Sequence, residues 1–267
     1  MAGRTALITG ASAGLGAHFA RLLAGAGANV VLGARRADRV AALADELNAQ
    51  RPCALAVAMD VGDEPSVIAA FDAGQAAFGT IHTIIANAGM TAAARSTDVP
   101  YADIRAMMDA NVIGAYLTAR EGARRLIAAG SGGNGGSGDA GGGSGGAGGA
   151  GPDGRIILIG SITAHMTAQG DTAYAAGKAA VAHMGRNFAR EWVRQAINVN
   201  VIQPGYIATD IAGDWFSTPS GQAQIAGFHR RRMQPIDSLN DMLLYLASDA
   251  SAAITGAVID IDDGQSL

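Results

Sequence analysis

The chain has 267 residues, 49% of them hydrophobic and 16% charged, with a formal net charge of −4. That is enough apolar material for a large α/β core and too little positive charge for a nucleic-acid surface, Arg230-Arg231-Arg232 being the one short basic run. No stretch is long and apolar enough to cross a bilayer, the N-terminal apolar run is too short for a signal peptide, and Cys53 alone allows no disulfide, so a soluble cytoplasmic protein is expected.

Strands and helices alternate along the chain. Thr5–Thr9 reads as a buried strand, and a Gly-rich turn leads from it into a helix over Leu15–Ala26. Asn29–Gly33 is a second apolar run. Asp38 opens a helix with Val40, Leu43 and Leu47 on one stripe. A third strand, Ala54–Ala58, precedes a helix started by Asp63-Glu64-Pro65, and Ile81–Ala86 is the fourth strand. A long helical region from Tyr101 to Ala128 follows, then strand Arg155–Gly160, helix Thr172–Gln195, strand Asn198–Gln203, helix Asp237–Ser248 and a last strand Ala257–Ile261. This alternation argues for a doubly wound parallel sheet in a single domain spanning 1–267.

One stretch breaks the pattern. Gly130–Gly151 is nearly all Gly, Ala and Ser and has no apolar surface to repay ordering, so it reads as a disordered insert. It joins a helix to the next strand and should emerge at the N-terminal edge of the sheet, opposite the edge where ligands bind in this architecture. It is therefore not expected to be an active-site lid.

Thr9-Gly10-Ala11-Ser12-Ala13-Gly14-Leu15-Gly16 follows the first strand and opens the first helix. Glycines there permit a tight turn and close approach of backbone to phosphate, while the helix start presents free N–H groups. The second strand ends Gly33-Ala34-Arg35-Arg36 with no acid to hold an adenosine ribose. Two guanidinium groups suit a 2′-phosphate instead, which predicts NADP(H) over NAD(H).

Tyr174 and Lys178 are four residues apart, hence on one helical face, and Ser161 lies thirteen residues before the tyrosine. An ammonium one turn from a phenol favours the phenolate and lowers a pKa that starts near ~10. The pair with Ser161 describes an acid, its tuner and a substrate anchor. The five histidines are scattered without metal-ligand spacing, so no metal is expected.

Together these residues resemble the short-chain dehydrogenase/reductase (SDR) family almost end to end, the Gly-rich insert excepted. The resemblance rests on Thr9 to Gly16 as the T-G-x3-G-x-G turn and on Asp60-Val61 as the adenine-contacting pair. It extends to Asn87-Ala88-Gly89 after the fourth strand, Asn111 in D-A-N-V-I-G, and Ser161, Tyr174 and Lys178. Pro204-Gly205 follows the sixth strand, with Ile207 and Thr209 in the segment that contacts the nicotinamide. It implies a seven-stranded parallel sheet in the order 3-2-1-4-5-6-7 with helices on both faces. It also implies hydride transfer between a nicotinamide cofactor and a ketone or secondary alcohol. Tyr174 would be the acid/base, Ser161 would hold the reacting oxygen, Lys178 would bind the nicotinamide ribose, and Asn111 would hold a water linking Lys178 to solvent. A homotetramer, or a homodimer, built on the long helix and the Thr172–Gln195 helix is implied as well. Three positions depart from the family: Ala86 in place of Asn, Gly177 where serine is common, and Asp262-Asp263-Gly264 where D-G-G is usual.

Substrate choice should come from Met90–Val99, Thr163–Asp171 and a lid at about Tyr206–Met233. Trp215, Phe216 and Phe228 in the lid suit an aromatic or alkyl ketone, or else pack the lid onto the body or meet a neighbouring subunit. His165 is a candidate substrate contact. Arg230 to Arg232 are either ordinary surface charge or would attract an acyl-CoA or acyl-carrier substrate, and a 3-oxoacyl reductase is the alternative function. A non-catalytic nucleotide-binding regulator is the alternative of a different class.

Overall fold

The short apolar runs become the strands of one sheet in the computed structural model, which describes residues 1–132, 154–167, 169–209 and 214–267. The strands are β1 (Thr5–Thr9), β2 (Asn29–Ala34), β3 (Ala54–Ala58), β4 (Thr83–Ala86), β5 (Gly154–Ile159), β6 (Ile197–Pro204) and β7 (Val258–Ile261). All pair in parallel in the order β3-β2-β1-β4-β5-β6-β7. The helices are α1 (Gly14–Gly25), α2 (Ala37–Asn48), α3 (Glu64–Phe78), α4 (Tyr101–Met108), α5 (Gly114–Gly132), α6 (Thr172–Trp192), α7 (Pro219–Gly227) and α8 (Asn240–Ala247).

Because helices cover both faces, the strands are mostly apolar, and alternate side chains feed two separate cores. Ala6, Ile8, Val30, Leu32, Ile85 and Ile157 pack with Phe19, Leu43 and Leu243 from α1, α2 and α8. Leu7, Val31, Ile84, Ile156 and Val199 point the other way, onto Phe71, Ala119 and Phe188 from α3, α5 and α6. Each fully buried Leu, Ile or Phe stabilises the fold by about 1.5–3 kcal/mol, so the sheet position of every strand is strongly specified.

β1 has β2 on one side and β4 on the other. The order in which strands are added therefore reverses at β1, opening a crevice at the C-terminal ends of these strands.

The expected long helix is real but not uniform. Between α4 and α5 lies a π-helical stretch, Asp109–Ile113, and α5 continues to Gly132, past the start of the Gly-rich segment. From 133 onward the insert lies outside the described residues. The strand expected from Ile81 begins two residues later, because Ile81 and His82 form its approach: Ile81 is buried in the second core, and the His82 N–H donates to the Thr5 carbonyl. The helix expected over Asp237–Ser248 splits into a 3-10 turn, Ile236–Leu239, and α8. Helix α7, capped by the Thr218 hydroxyl and started by Pro219, has no counterpart in the sequence reading.

Candidate active site

The turn from β1 into α1 sits at the crevice, and its shape needs glycine at particular points. Gly10 has φ of +70°, and a Cβ there would lie 2.9 Å from both the Ala88 Cα and the Asn87 Nδ2. A Cβ on Gly16 would run into the Gly10 carbonyl oxygen. Ala13 holds the N-cap of α1 and has no side chain with which to cap it, so the first-turn N–H groups around Gly14 and Leu15 are open to an anion. Thr209, from the loop after β6, faces Gly14 across this opening. The turn is braced from behind by Thr9. Its hydroxyl accepts from the Asn87 and Ala88 N–H groups at 3.0 Å, and the Asn87 amide donates to the Thr9 carbonyl at 2.9 Å. This bracing ties β4 to β1 although Ala86 has no polar side chain.

At the end of β2, Arg36 reaches back over the turn. Its Nε and Nη2 donate to the Ser12 Oγ at 3.1 and 2.9 Å, holding the guanidinium beside the phosphate-sized opening, with Arg35 exposed next to it. Asp60 closes its own turn after β3 by accepting from the Gly62 N–H at 3.0 Å, while Val61 is buried against Gly114. A dinucleotide fits this surface: glycine where a side chain would intrude, an uncapped helix start, and cations with no opposing acid at the end of β2.

Ser161, Tyr174, Lys178 and Asn111 gather at the same edge. Ser161 leaves the end of β5 and caps a 3-10 turn, its Oγ accepting from the Thr163 N–H at 3.2 Å and bonded to the Thr163 hydroxyl at 2.9 Å. Tyr174 and Lys178 lie in the first two turns of α6. The Lys178 Nζ is 5.6 Å from the centroid of the Tyr174 ring and donates to the Ile159 carbonyl at 2.8 Å. Asn111 sits in the π-helical stretch, 2% exposed, and both ends of its amide are engaged by Met90. Oδ1 accepts from the Met90 N–H at 2.7 Å, and Nδ2 donates to the Met90 carbonyl at 2.8 Å. Gly89 fits between, since a Cβ there would be 3.0 Å from the Asn111 Oδ1 and 3.7 Å from the Lys178 Nζ. At Gly177 a Cβ would make only an ordinary contact, 3.4 Å from Val112.

The electrostatics differ from the simple expectation of a lowered tyrosine. Burial pushes the Tyr174 phenol up to about 12, and its hydrogen bond with Ser161 offsets only part of this. Burial also pushes Lys178 down to about 8. With the ammonium itself poorly solvated and turned toward the Ile159 carbonyl, desolvation decides both values.

The loop after β6 is fastened by two buried glutamines that carry no sequence signal. Gln234 Oε1 accepts from the Gly205 N–H at 3.0 Å, and Ile207 forms a parallel bridge with Gln234. Gln265 Oε1 accepts from the Tyr206 N–H at 2.6 Å. Gly205 is required here, because a Cβ would strike the Gln265 Oε1 and lie 2.9 Å from the Asp262 Cα. The lid segment is stitched inward as well. Tyr206 stacks on Phe228 at 5.5 Å and meets Phe216 edge-on at 5.7 Å, and the Trp215 indole donates to Gln224. Phe216 and Phe228 thus pack within the 206–233 segment itself, on its first residue.

Of the two readings of Arg230 to Arg232, surface charge describes Arg230 and Arg232, which Asp263 pairs at 3.0 Å and 2.7 Å. Asp263 stands with φ of +56°, one of the side-chain-bearing residues that tolerate this region, in place of the usual glycine. His165 turns toward the edge strand, with Nε2 3.6 Å from Asp260, so it does not face Tyr174.

Such a crevice, with its phosphate turn and a tyrosine–lysine face one strand away, defines a nicotinamide-nucleotide oxidoreductase of the doubly wound class. A family model described as short chain dehydrogenase matches residues 4–135, and one described as Enoyl-(Acyl carrier protein) reductase matches 148–266. Cis-4-hydroxycyclohexanecarboxylate dehydrogenase of Sinomonas cyclohexanicum is 32% identical, the match covering 98% of this chain and 96% of the relative. The crystal structure of a gluconate 5-dehydrogenase from Burkholderia cenocepacia, in complex with NADP and tartrate, matches with a TM-score of 0.87 at 28% identity over 100% of this chain and 96% of that one. A 3-ketoacyl-(acyl-carrier-protein) reductase from Brucella melitensis complexed with NADH matches with a TM-score of 0.84 at 26% identity, over 100% and 99%. The chain belongs to the short-chain dehydrogenase/reductase family, and its reaction class is NAD(P)-dependent oxidoreduction at a CH–OH carbon.

Proposed function

We propose that the chain is an NADP(H)-dependent oxidoreductase that interconverts a ketone and a secondary alcohol, with Tyr174 as the acid/base. The carrying observation is the convergence of Ser161, Tyr174, Lys178 and Asn111 on one edge beside the glycine turn. The nicotinamide, when bound, supplies or accepts the hydride. In the reducing direction the Tyr174 hydroxyl gives its proton to the substrate oxygen, and Ser161 hydrogen-bonds the same oxygen as charge builds on it. A phenol at about 12 holds its proton tightly. The Lys178 charge one turn away is the group suited to ease its release, and its protons beyond the one given to Ile159 suit the ribose hydroxyls. Asn111 spends its side chain on Met90, so its part is to fix the backbone beside Lys178, and the expected water falls to main-chain groups around it.

Gly10, Ser12, Ala13, Gly14, Leu15 and Gly16 would hold the pyrophosphate, Asp60 and Val61 the adenine. Asn87, Ala88, Gly89, Pro204, Gly205, Ile207 and Thr209 would line the nicotinamide half. The preference for NADP(H) is supported by Arg35, by the Arg36–Ser12 contact and by the missing acid at the end of β2. The named substrates of the relatives, a hydroxycyclohexanecarboxylate and gluconate, support a small alcohol or ketone. A homotetramer is supported by the exposed Ile113, at the end of the π-helical stretch, and Tyr116, on α5. A single domain with a lid at about 206–233 and a cytoplasmic location complete the reading.

A 3-oxoacyl reductase is the second reading, favoured by the likeness to the Brucella enzyme. The Asp263 pairs work against it by occupying the cations that an acidic carrier would need. The test is a panel of ketones, secondary alcohols and acetoacetyl-CoA, run with NADPH and NADH, on wild type and Tyr174→Phe. We expect NADPH to win and Tyr174→Phe to lose about 10²–10⁴ in kcat with cofactor still bound. Near-normal turnover by Tyr174→Phe sinks the mechanism, and a clear NADH preference sinks the cofactor assignment. Acetoacetyl-CoA as the best substrate selects the second reading. Cofactor binding with no turnover anywhere would point to a regulator.

A further inference from the structure

A second hollow lies around α6 from the proposed reaction edge. It has a volume of about 310 Å³ and runs between α6, the edge strand β7 and the turn after β5. Ala179, Ala182, His183 and Arg186 line it from α6, at i, i+3, i+4 and i+7, so they form one helical stripe. At about 100° per residue this stripe is centred roughly 110° around the helix from Tyr174 and Lys178. The hollow is therefore separate from the tyrosine–lysine face, although one helix carries both.

Its floor is an amide. Gln203, near the end of β6, is 3% exposed and lines the hollow. Its side chain lies over Gly160, where a Cβ would be 2.9 Å from the Gln203 Cγ. The other buried glutamines, Gln234 and Gln265, spend their amides on backbone groups of the loop after β6. The Gln203 amide makes no hydrogen bond among the described residues. An amide offers two donors and an acceptor, and burying it is costly unless something in the hollow meets them.

Small side chains keep the space open. Ala179 and Ala182, with Val258 of β7 and Ala164, give it apolar walls. The rim is charged. Asp260 has the His165 Nε2 beside it at 3.6 Å. The Arg186 guanidinium and the His183 ring have no partner among the described residues. Arg186 is thus the charge in this hollow that lacks an opposite one. A ligand that answers all three features has a negative group at the rim, a short apolar stem and a hydrogen-bonding group at the floor.

We propose that this hollow is a second ligand site, for a short organic carboxylate whose far end carries an amide or a hydroxyl. The carboxylate accepts from Arg186 and His183, the stem lies along Ala179, Ala182 and Val258, and the far end pairs with the Gln203 amide. None of these contacts involves the nicotinamide cleft, so the site binds independently of hydride transfer.

The test is a ligand-observed NMR titration of the full chain, with and without saturating NADP⁺. Three probes share a carboxamide at one end and differ at the other: succinamate, neutral succinamide and cationic 4-aminobutanamide. Succinamate should bind about 10-fold or more tighter than the other two, as a charge-assisted hydrogen bond requires, and NADP⁺ should leave its affinity unchanged. Arg186→Gln, an exposed position, should weaken succinamate by about 10-fold or more and leave succinamide as it was. Gln203→Met keeps an unbranched chain of similar length and removes the amide. It should weaken all three probes and leave the melting temperature unchanged or raised, because no hydrogen bond is lost. A Gln203→Met protein that melts well below wild type, or does not fold, makes the glutamine structural and overturns the site. So does succinamate that fails to bind wild type, that binds Arg186→Gln equally well, that NADP⁺ displaces, or that loses to the amine.

Discussion

Lys178 is the only lysine among the 19 lysines and arginines of the chain. That makes its burial measurable. In the folded protein it titrates at about 8, against an ordinary 10.5, because burial disfavours the ammonium. Below pH 8 both folded and unfolded chains carry the proton, and the folded chain holds it poorly. As pH rises through 8 the folded state gives up its proton first, and the unfolded state keeps its own until about 10.5. The unfolded state then binds more protons, so stability rises with pH across this window. At about 1.4 kcal/mol per pH unit the full difference is about 3 kcal/mol, of which about 2 kcal/mol develops between pH 7.5 and 9.5. Tyr174 acts in the opposite sense, since its raised value favours the protonated fold, but only above its unperturbed value of 10.0. The assay is urea unfolding at pH 7.5 and 9.5 for wild type and Lys178→Met. Methionine keeps the stem and removes the titrating group, at the expense of the bond to Ile159. Wild type should gain about 2 kcal/mol more than the variant over this range. Equal pH responses would falsify the assignment of a desolvated, charged lysine.

Other consequences are as direct. Arg36→Asp should raise the NADPH dissociation constant by about 10-fold or more while leaving or improving NADH binding, because it removes a phosphate-binding guanidinium and restores an acid near the ribose; paired fluorescence titrations decide it. Gly16→Ala puts a methyl against the Gly10 carbonyl, backbone that cannot swing aside, and should cost about 1–3 kcal/mol and weaken cofactor binding, read by thermal melts with and without NADPH. Gln265→Ala frees the Tyr206 backbone and should lower stability by about 1–3 kcal/mol and raise KM more than it changes kcat; an unchanged KM would mean the loop is held without it.

The sheet was legible in the sequence because strands covered on both faces are mostly apolar, so each reads as a short run rich in Val, Ile, Leu and Ala bounded by turns. Ser161, Tyr174, Lys178 and Asn111 were legible as a spaced motif. Gln234 and Gln265 were not, because a polar residue gives no sign in sequence that it will be buried against a backbone many residues away. Asp171 stands at the N-cap of α6, and only the fold reveals that its carboxylate does not cap. The direction of the Tyr174 shift was missed for a related reason: the neighbouring lysine is visible as i+4, whereas burial is a property of three loops folding together. The partner of Phe216 and Phe228, Tyr206 of the same segment, could not be chosen from spacing alone.

The π-helical stretch at Asp109–Ile113 has a further consequence. A π turn carries one residue more than the α-helical path it interrupts. Counted from Tyr101 or counted back from Gly132, the ladder arrives at Asn111 in registers that disagree by one position. Removing a single residue there would let the whole segment wind as an ordinary helix, with every core strand untouched. The two halves would keep their orientation to each other, because the π turn had absorbed the extra residue. A protein so altered would still look, by length and by hydrophobic pattern, like an intact relative. It would have lost the grip of Asn111 on Met90, and with it the backbone beside Lys178.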